Sequence, residues 1–210
     1  MTGARVVHVI DDDEAVRNSL AFMLKAAGHV VRRWASAIAF LEARGREAAG
    51  CIVTDVRMPD MNGLELVKRL NALGATDPVI VITGHADVPL AVEAMKAGIV
   101  DFIEKPFENR RLLGAVKIAL DRHASAGGTE ESEERRRIAD RIDSLSDRER
   151  QVLDALVTGH ANKQIAHDLG ISPRTVEVYR ANVMAKMHAG SLPELVRLAI
   201  IADPAKATAR

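Results

Sequence analysis

The residues of this 210-residue chain that can do chemistry are a few acids, one lysine and one threonine, spread across its first half. Asp11-Asp12-Asp13, Asp55, Thr83-Gly84 and Lys105-Pro106 each end or follow an apolar, β-rich run. Carboxylates gathered at one point repel unless a cation joins them. Hard oxygen donors suit Mg2+, which keeps part of its water and also grips phosphate oxygens. A carboxylate can attack phosphorus and form an aspartyl phosphate. The arriving phosphoryl group then needs positive charge and hydrogen-bond donors, which Lys105 and the Thr83 hydroxyl can supply. Each group alone is weak evidence: an acid after a strand is commonly a helix cap, the role expected of Asp13, and Lys-Pro is commonly a turn. Four of them at four strand ends, in this order, carry the argument.

Elements that would position these groups alternate along the chain. Strands are expected at Val6–Ile10, Val30–Trp34, Cys51–Thr54, Val79–Thr83 and Val100–Ile103. Between and after them, helical apolar spacing covers Asp13–Ala27, Ser36–Arg44, Gly63–Leu73, Val88–Ala97 and Glu108–His123. Five strands alternating with five helices imply a five-stranded, doubly wound parallel sheet, whose functional groups gather at the carboxyl edge. The expected divisions are residues 1–122 for this domain, 123–143 for a charged, helix-compatible linker, and 144–210 for a second domain. In the linker a solvated charged face is the default reading.

The second domain reads as four short helices. Ser146 with Glu149 makes a capping box before the first. Asn162–Leu169, the turn Gly170-Ile171-Ser172 and the helix from Pro173 to Met187 form a helix-turn-helix pattern. Ser191, Pro193 and Glu194 open the last helix. Leu156, Ile165, Ala166, Leu169, Ile171, Val176, Val183 and Met187 have core-like spacing, and basic and small polar residues of the second helix of the pair are available to phosphates and base edges.

Bulk composition constrains the rest. Lys and Arg number 29 and Asp and Glu 29, so net charge alone argues for no nucleic-acid partner. Residues 144–210 hold 9 basic and 7 acidic side chains, which permits DNA binding without establishing it. No apolar run is long enough to span a bilayer, and the start of the chain does not resemble a signal peptide. The single cysteine, Cys51, opens an apolar run; it is expected to be packed and fits a reducing cytoplasm.

Four segments are similar to those of receiver domains: Val9-Ile10-Asp11-Asp12, Thr54 to Gly63, Val81 to His85, and Asp101 to Phe107. The resemblance implies that Asp55 is the phosphoacceptor. Asp11 and Asp12 hold Mg2+, with Asp12 the preferred direct ligand, and the Arg57 carbonyl completes the site. Lys105 pairs with the phosphate, its bond to Pro106 is cis, and Thr83 and Phe102 are the switch pair. Leu145 to Leu153, Asn162 to Ala166 and Ile171 to Arg180 resemble the LuxR-type output domain. That implies that Glu177, Val178 and Ala181 face the groove floor, with Lys163, Arg174, Thr175, Arg180 and Lys186 as phosphate contacts. Tyr179 departs from the histidine common at its position. Together the halves resemble two-component response regulators of the FixJ type, over nearly all the chain except about 122–142.

The expected function is a phosphorylation-controlled transcription regulator, an activator that takes phosphoryl from a sensor histidine kinase. Its active form is a homodimer through Val92, Met95 and Lys96, bound to double-stranded promoter DNA, with RNA polymerase a further candidate partner. Oxygen-responsive nitrogen-fixation genes are the pathway the resemblance suggests. The alternative is a phosphorelay or protein-binding module without DNA contact. A haloacid-dehalogenase-type phosphatase is disfavoured because Arg57 stands where its general acid belongs, and an RNA-binding output by the 3% aromatic content.

Overall fold

The computed structural model describes residues 6–84, 87–124 and 130–203, with the side chains of 122–124 and 130–135 excepted. These fall into two compact units, drawn from residues 1–85 with 99–126 and from 86–98 with 127–210.

In the first unit, β1 (Val6–Ile10), β2 (Val30–Trp34), β3 (Cys51–Asp55), β4 (Val79–Thr83) and β5 (Asp101–Glu104) form one sheet in the order β2-β1-β3-β4-β5. Every pairing is parallel, and the register sets Ile10 opposite Thr54, Asp55 opposite Ile82, and Thr83 opposite Glu104. All four ends that carry the expected chemistry therefore lie along one edge. The chain leaves β1 for β2 on one side and returns to β3 on the other, so the β1/β3 crevice is where such a sheet binds ligands.

α1 (Glu14–Ala26) and α5 (Asn109–Ala124) cover one face, and α2 (Ala37–Ala43) and α3 (Gly63–Ala72) belong to the same unit. Val7, Val9, Cys51, Val53, Ile80, Ile82 and Ile103 meet Leu20, Leu24, Leu112, Val116 and Ala119 in a closed core. β1, β3 and β4 are buried throughout, as continuous apolar strands between helical layers must be. β2, an edge strand, keeps Arg32 and Arg33 exposed. Below it lies a ring cluster in which His8 and Phe40 are buried and Trp34 is half-buried. His8 Nε2 is 2.9 Å from the Ala48 carbonyl, its Nδ1 accepts the Trp34 indole N–H at 3.3 Å, and Phe40 packs against both rings. Cys51 is fully buried, and burial followed by the Asp77 charge pushes its thiol up to about 12, in keeping with the packed role expected of it.

The second unit contains α4 (Val88–Lys96), α6 (Glu130–Asp143), α7 (Asp147–Val157), α8 (Asn162–Leu169), α9 (Pro173–Met187) and α10 (Leu192–Ala202). Its caps follow the sequence closely. Ser146 and Glu149 exchange both capping-box bonds, Gly170 ends α8 at φ +65°, and Ser172 caps α9 with Pro173 in its first turn. Leu156, Ile165, Ala166, Val176, Val183 and Met187 are buried as expected, whereas Leu169 and Ile171 are half-buried.

Of the stretch expected to be a linker, 125–129 lies outside the described residues, and 130–143 is the helix α6. Its C-terminal half does not behave as a solvated face. Ile138 and Ile142 are buried, and the helix packs on α9 and α10. Two apolar residues four apart make one stripe, enough to seat an otherwise charged helix.

Candidate functional site: an acidic phosphate pocket and a DNA-reading helix

Asp11 follows β1 and Asp55 closes β3, in adjacent parallel strands, so their side chains converge. Lys105, immediately after β5, reaches both: Nζ lies 2.8 Å from Asp55 Oδ1 and 3.3 Å from Asp11 Oδ2. The other Asp55 oxygen accepts the Arg57 backbone N–H at 2.6 Å, which fixes the carboxylate in its plane. Burial draws the lysine down, but the bonds and charges of Asp55 and then Asp11 outweigh it and raise the ammonium above its ordinary value. Burial raises the Asp11 carboxyl despite the nearby Lys105 charge.

The loop after β1 is held from two sides. Asp11 Oδ1 accepts the Asp13 N–H at 2.9 Å, and Asp13 caps α1 by accepting from Ala15 and Val16 at 2.8 and 3.1 Å, the role the sequence suggests. Arg17, one turn into α1, donates to the Asp11 carbonyl at 2.6 Å and the Asp12 carbonyl at 3.3 Å. Its part was not legible beforehand; the only signal is a basic residue a turn into the helix behind an acidic loop. Gly63 closes the receiver-like segment Thr54 to Gly63 and starts α3. A Cβ there would lie 2.2 Å from the Asp55 carbonyl oxygen, so only glycine lets α3 begin this close to the end of β3.

Thr83 is fully buried at the end of β4, and the Phe102 ring is already inward, 3% exposed. The Lys105–Pro106 bond is cis. Asp12 is exposed, and among the described residues no three acidic, imidazole or thiol groups close into a preformed metal cage. The donor chemistry nevertheless fits Mg2+. Two hard carboxylates already share one cationic group, a third acid adjoins them, and open positions suit an ion that keeps several waters.

The second unit presents a different surface. On α9, Arg174, Glu177, Val178 and Ala181 are exposed at the spacing of one helical face, opposite the buried Val176, Val183 and Met187. Val178 is 56% exposed, a large apolar side chain in solvent at one edge of that face. Lys163 is exposed on α8, Arg180 is half-buried, and the Thr175 hydroxyl is engaged with Ser172 at 2.8 Å. Lys186 stands apart from this face, with Nζ 2.6 Å from Glu149 Oε2 and 3.3 Å from the Ser144 carbonyl. Val92 and Met95 of the expected dimer face are buried, with α4 packed on α10, and Lys96 is half-buried. In this conformation those residues do not form an open face.

Residues 7–117 match the response regulator receiver domain, and residues 143–199 match the bacterial regulatory proteins of the luxR family. The chain is 61% identical to the transcriptional regulatory protein FixJ of Azorhizobium caulinodans, over 96% of this chain and 94% of that protein. It is 43% identical to the response regulator protein TodT of Pseudomonas putida, over 93% and 85%. Full-length FixJ from B. japonicum, a solved structure, shares 51% identity at a TM-score of 0.57, covering 96% of this chain and 98% of that one.

Proposed function

The chain belongs to the two-component response regulators of the FixJ type, which are phosphorylation-controlled transcription regulators, and on that footing we propose that Asp55 accepts the phosphoryl group from a sensor histidine kinase. An Asp55 carboxylate oxygen attacks phosphorus, the bond from phosphorus to the kinase imidazole breaks, and an acyl phosphate remains on Asp55. The observation that carries this reading is the Lys105 ammonium bridging Asp55 and Asp11 at the β1/β3 crevice. Lys105 pairs with the arriving phosphoryl oxygens. Asp11, Asp12, Asp55 and the Arg57 carbonyl would hold Mg2+, which when bound neutralises charge on those oxygens. Beyond its own phosphorylation and dephosphorylation the chain catalyses nothing.

In the active state Thr83 engages the phosphate, with the Phe102 ring packed behind it, and the α4 surface with Val92, Met95 and Lys96 becomes the dimer face. Two copies then set their α9 helices one DNA turn apart, ~34 Å, on a palindromic promoter site. Glu177, Val178 and Ala181 meet base edges, and Lys163, Arg174, Thr175 and Arg180 meet phosphates. A nearly complete switch needs about 5 kcal/mol of preference for the active state. The regulator is a cytoplasmic activator working with RNA polymerase, and oxygen-responsive nitrogen-fixation genes are the pathway its likeness to FixJ favours. An output that never touches DNA is not favoured, because residues 143–199 match the luxR family.

The test is selection of duplexes from genomic DNA by the full chain treated with Mg2+ and a small phosphodonor, beside Asp55→Asn. Enrichment of palindromic promoter sites by the phosphorylated wild type alone supports the reading. Equal enrichment by both proteins removes receiver control, and enrichment by neither removes the DNA-binding assignment.

A further inference from the structure

We infer that Lys186 is a positioning residue, a latch that ties the C-terminal end of α9 to the start of α7 through Glu149 and so fixes how the reading face meets DNA. The inference rests on the reading of α8 and α9 as the DNA-binding pair, and it moves Lys186 out of the phosphate-contacting set.

Four observations carry it. First, the Glu149 carboxylate is buried, and Oε2 collects the Lys186 ammonium at 2.6 Å, the Ser146 N–H at 2.8 Å and the Ser146 hydroxyl at 3.0 Å. The Lys186 side chain is partly exposed, but its ammonium is committed to a carboxylate that also holds the Ser146 cap, so leaving for a phosphate would break a standing ion pair. Second, Lys186 also donates to the Ser144 carbonyl at 3.3 Å, so one ammonium holds both the chain entering α7 and the acid inside its first turn. Third, a second cation fastens the same helix end. Arg141 of α6 donates to the Met187 carbonyl at 3.2 Å, where α9 has run out of its own donors. Fourth, at about 100° per residue, Lys186 falls roughly 130° round α9 from the middle of the Arg174, Glu177, Val178 and Ala181 face. The bond to Lys186, followed by those to Ser146, holds the Glu149 carboxyl below its ordinary range, as a standing ion pair requires.

A latch and a phosphate contact leave different traces. Losing a phosphate contact weakens every duplex alike and lowers the salt slope by ~0.9, whereas a tilted reading helix loses the preferred sequence while its phosphate count stays. The experiment uses the full chain, phosphorylated with a small donor, with affinity followed by fluorescence anisotropy across a salt series. Two duplexes serve as probes, one recovered by the wild type from a random pool and one of scrambled sequence. Lys186→Met and Glu149→Gln are compared with Lys186→Arg. Glutamine keeps an amide oxygen for the Ser146 cap while removing the charge, so Glu149→Gln tests the latch even where Lys186→Met fails to fold.

The expected result is a loss of about tenfold on the selected duplex for Lys186→Met and for Glu149→Gln, with no further loss in the double variant. Scrambled-duplex affinity and salt slope stay at wild-type values, and Lys186→Arg restores most of the preference. A salt slope lowered by ~0.9 in Lys186→Met, with Glu149→Gln binding as wild type, overturns the latch and makes Lys186 a phosphate contact. Wild-type protein that recovers no duplex overturns the DNA-binding reading itself.

Discussion

The acidic pocket of the first unit and the reading face of the second reach definition by opposite routes. In the pocket, few residues converge on a point. Asp55 is fixed by an ammonium on one oxygen and a backbone N–H on the other, and the backbone behind it admits only a glycine neighbour. On α9 nothing converges: Arg174, Glu177, Val178 and Ala181 stand in solvent, and what is fixed is the rod that carries them. A site that does chemistry is specified by its own contacts. A surface that reads a partner is specified by contacts made elsewhere, at the helix ends and the buried stripe. Substitutions should therefore act locally and severely in the first unit, and remotely and gradually in the second.

The sharpest way to break that contrast is Gly63→Ala. Its Cβ would meet the Asp55 carbonyl oxygen at 2.2 Å, so backbone must move. We expect a loss of about 2–4 kcal/mol in urea unfolding of the first unit, with phosphorylation by a small donor reduced as well. Wild-type stability in that variant would show that the end of β3 is not held as tightly as the contrast requires.

Next in size is the exposed cationic set. Lys163→Ala and Arg174→Ala together should lower the DNA salt slope by ~1.8, from ~0.9 for each phosphate contact, with stability unchanged because both side chains are exposed. A slope that stays put would place the phosphate contacts elsewhere on the unit. Ser146→Ala should cost about 1 kcal/mol of second-unit stability by removing the hydroxyl that accepts the Glu149 N–H, measured by thermal unfolding. The smallest expected effect is on acid stability. The Glu149 carboxyl titrates below its ordinary 4.5 in the folded chain, so its contribution is complete above that value and disappears as pH falls through the lower folded one. Unfolding midpoints measured from pH 6 down to pH 3 should fall less steeply in Glu149→Gln than in the wild type.

Much of the first unit was readable in the sequence because a buried parallel strand writes itself as a solid apolar run. All five strands and the helices that follow them, α4 of the second unit included, lie within a residue or two of where alternation places them. The pocket was readable because its groups sit at strand ends, and parallel topology then does the gathering. Arg17 escaped notice because it acts on carbonyls, which leave no mark in the side-chain pattern. In the second unit the caps announced themselves: Ser146 with Glu149, Gly170, and Ser172 with Pro173. The integration of α6 did not. Ile138 and Ile142 are two apolar residues in a stretch dominated by Glu and Arg, too few to register as an amphipathic period. Nor could the role of Lys186 be foreseen, since its partner lies 37 residues earlier and only the folded chain brings them together.

The ring cluster beneath the edge strand carries a practical consequence. Trp34 is the chain's one tryptophan; its main-chain carbonyl accepts the Asp11 N–H at 3.2 Å, and its indole leans on His8 and Phe40. The turn that carries Asp11 and Asp12 is thus one hydrogen bond away from the main chain of the residue that bears the chromophore. If uptake of a phosphoryl group on Asp55 moves that turn, Trp34 emission should change on mixing with Mg2+ and a small phosphodonor in a stopped-flow cell, and should stay constant in Asp55→Asn.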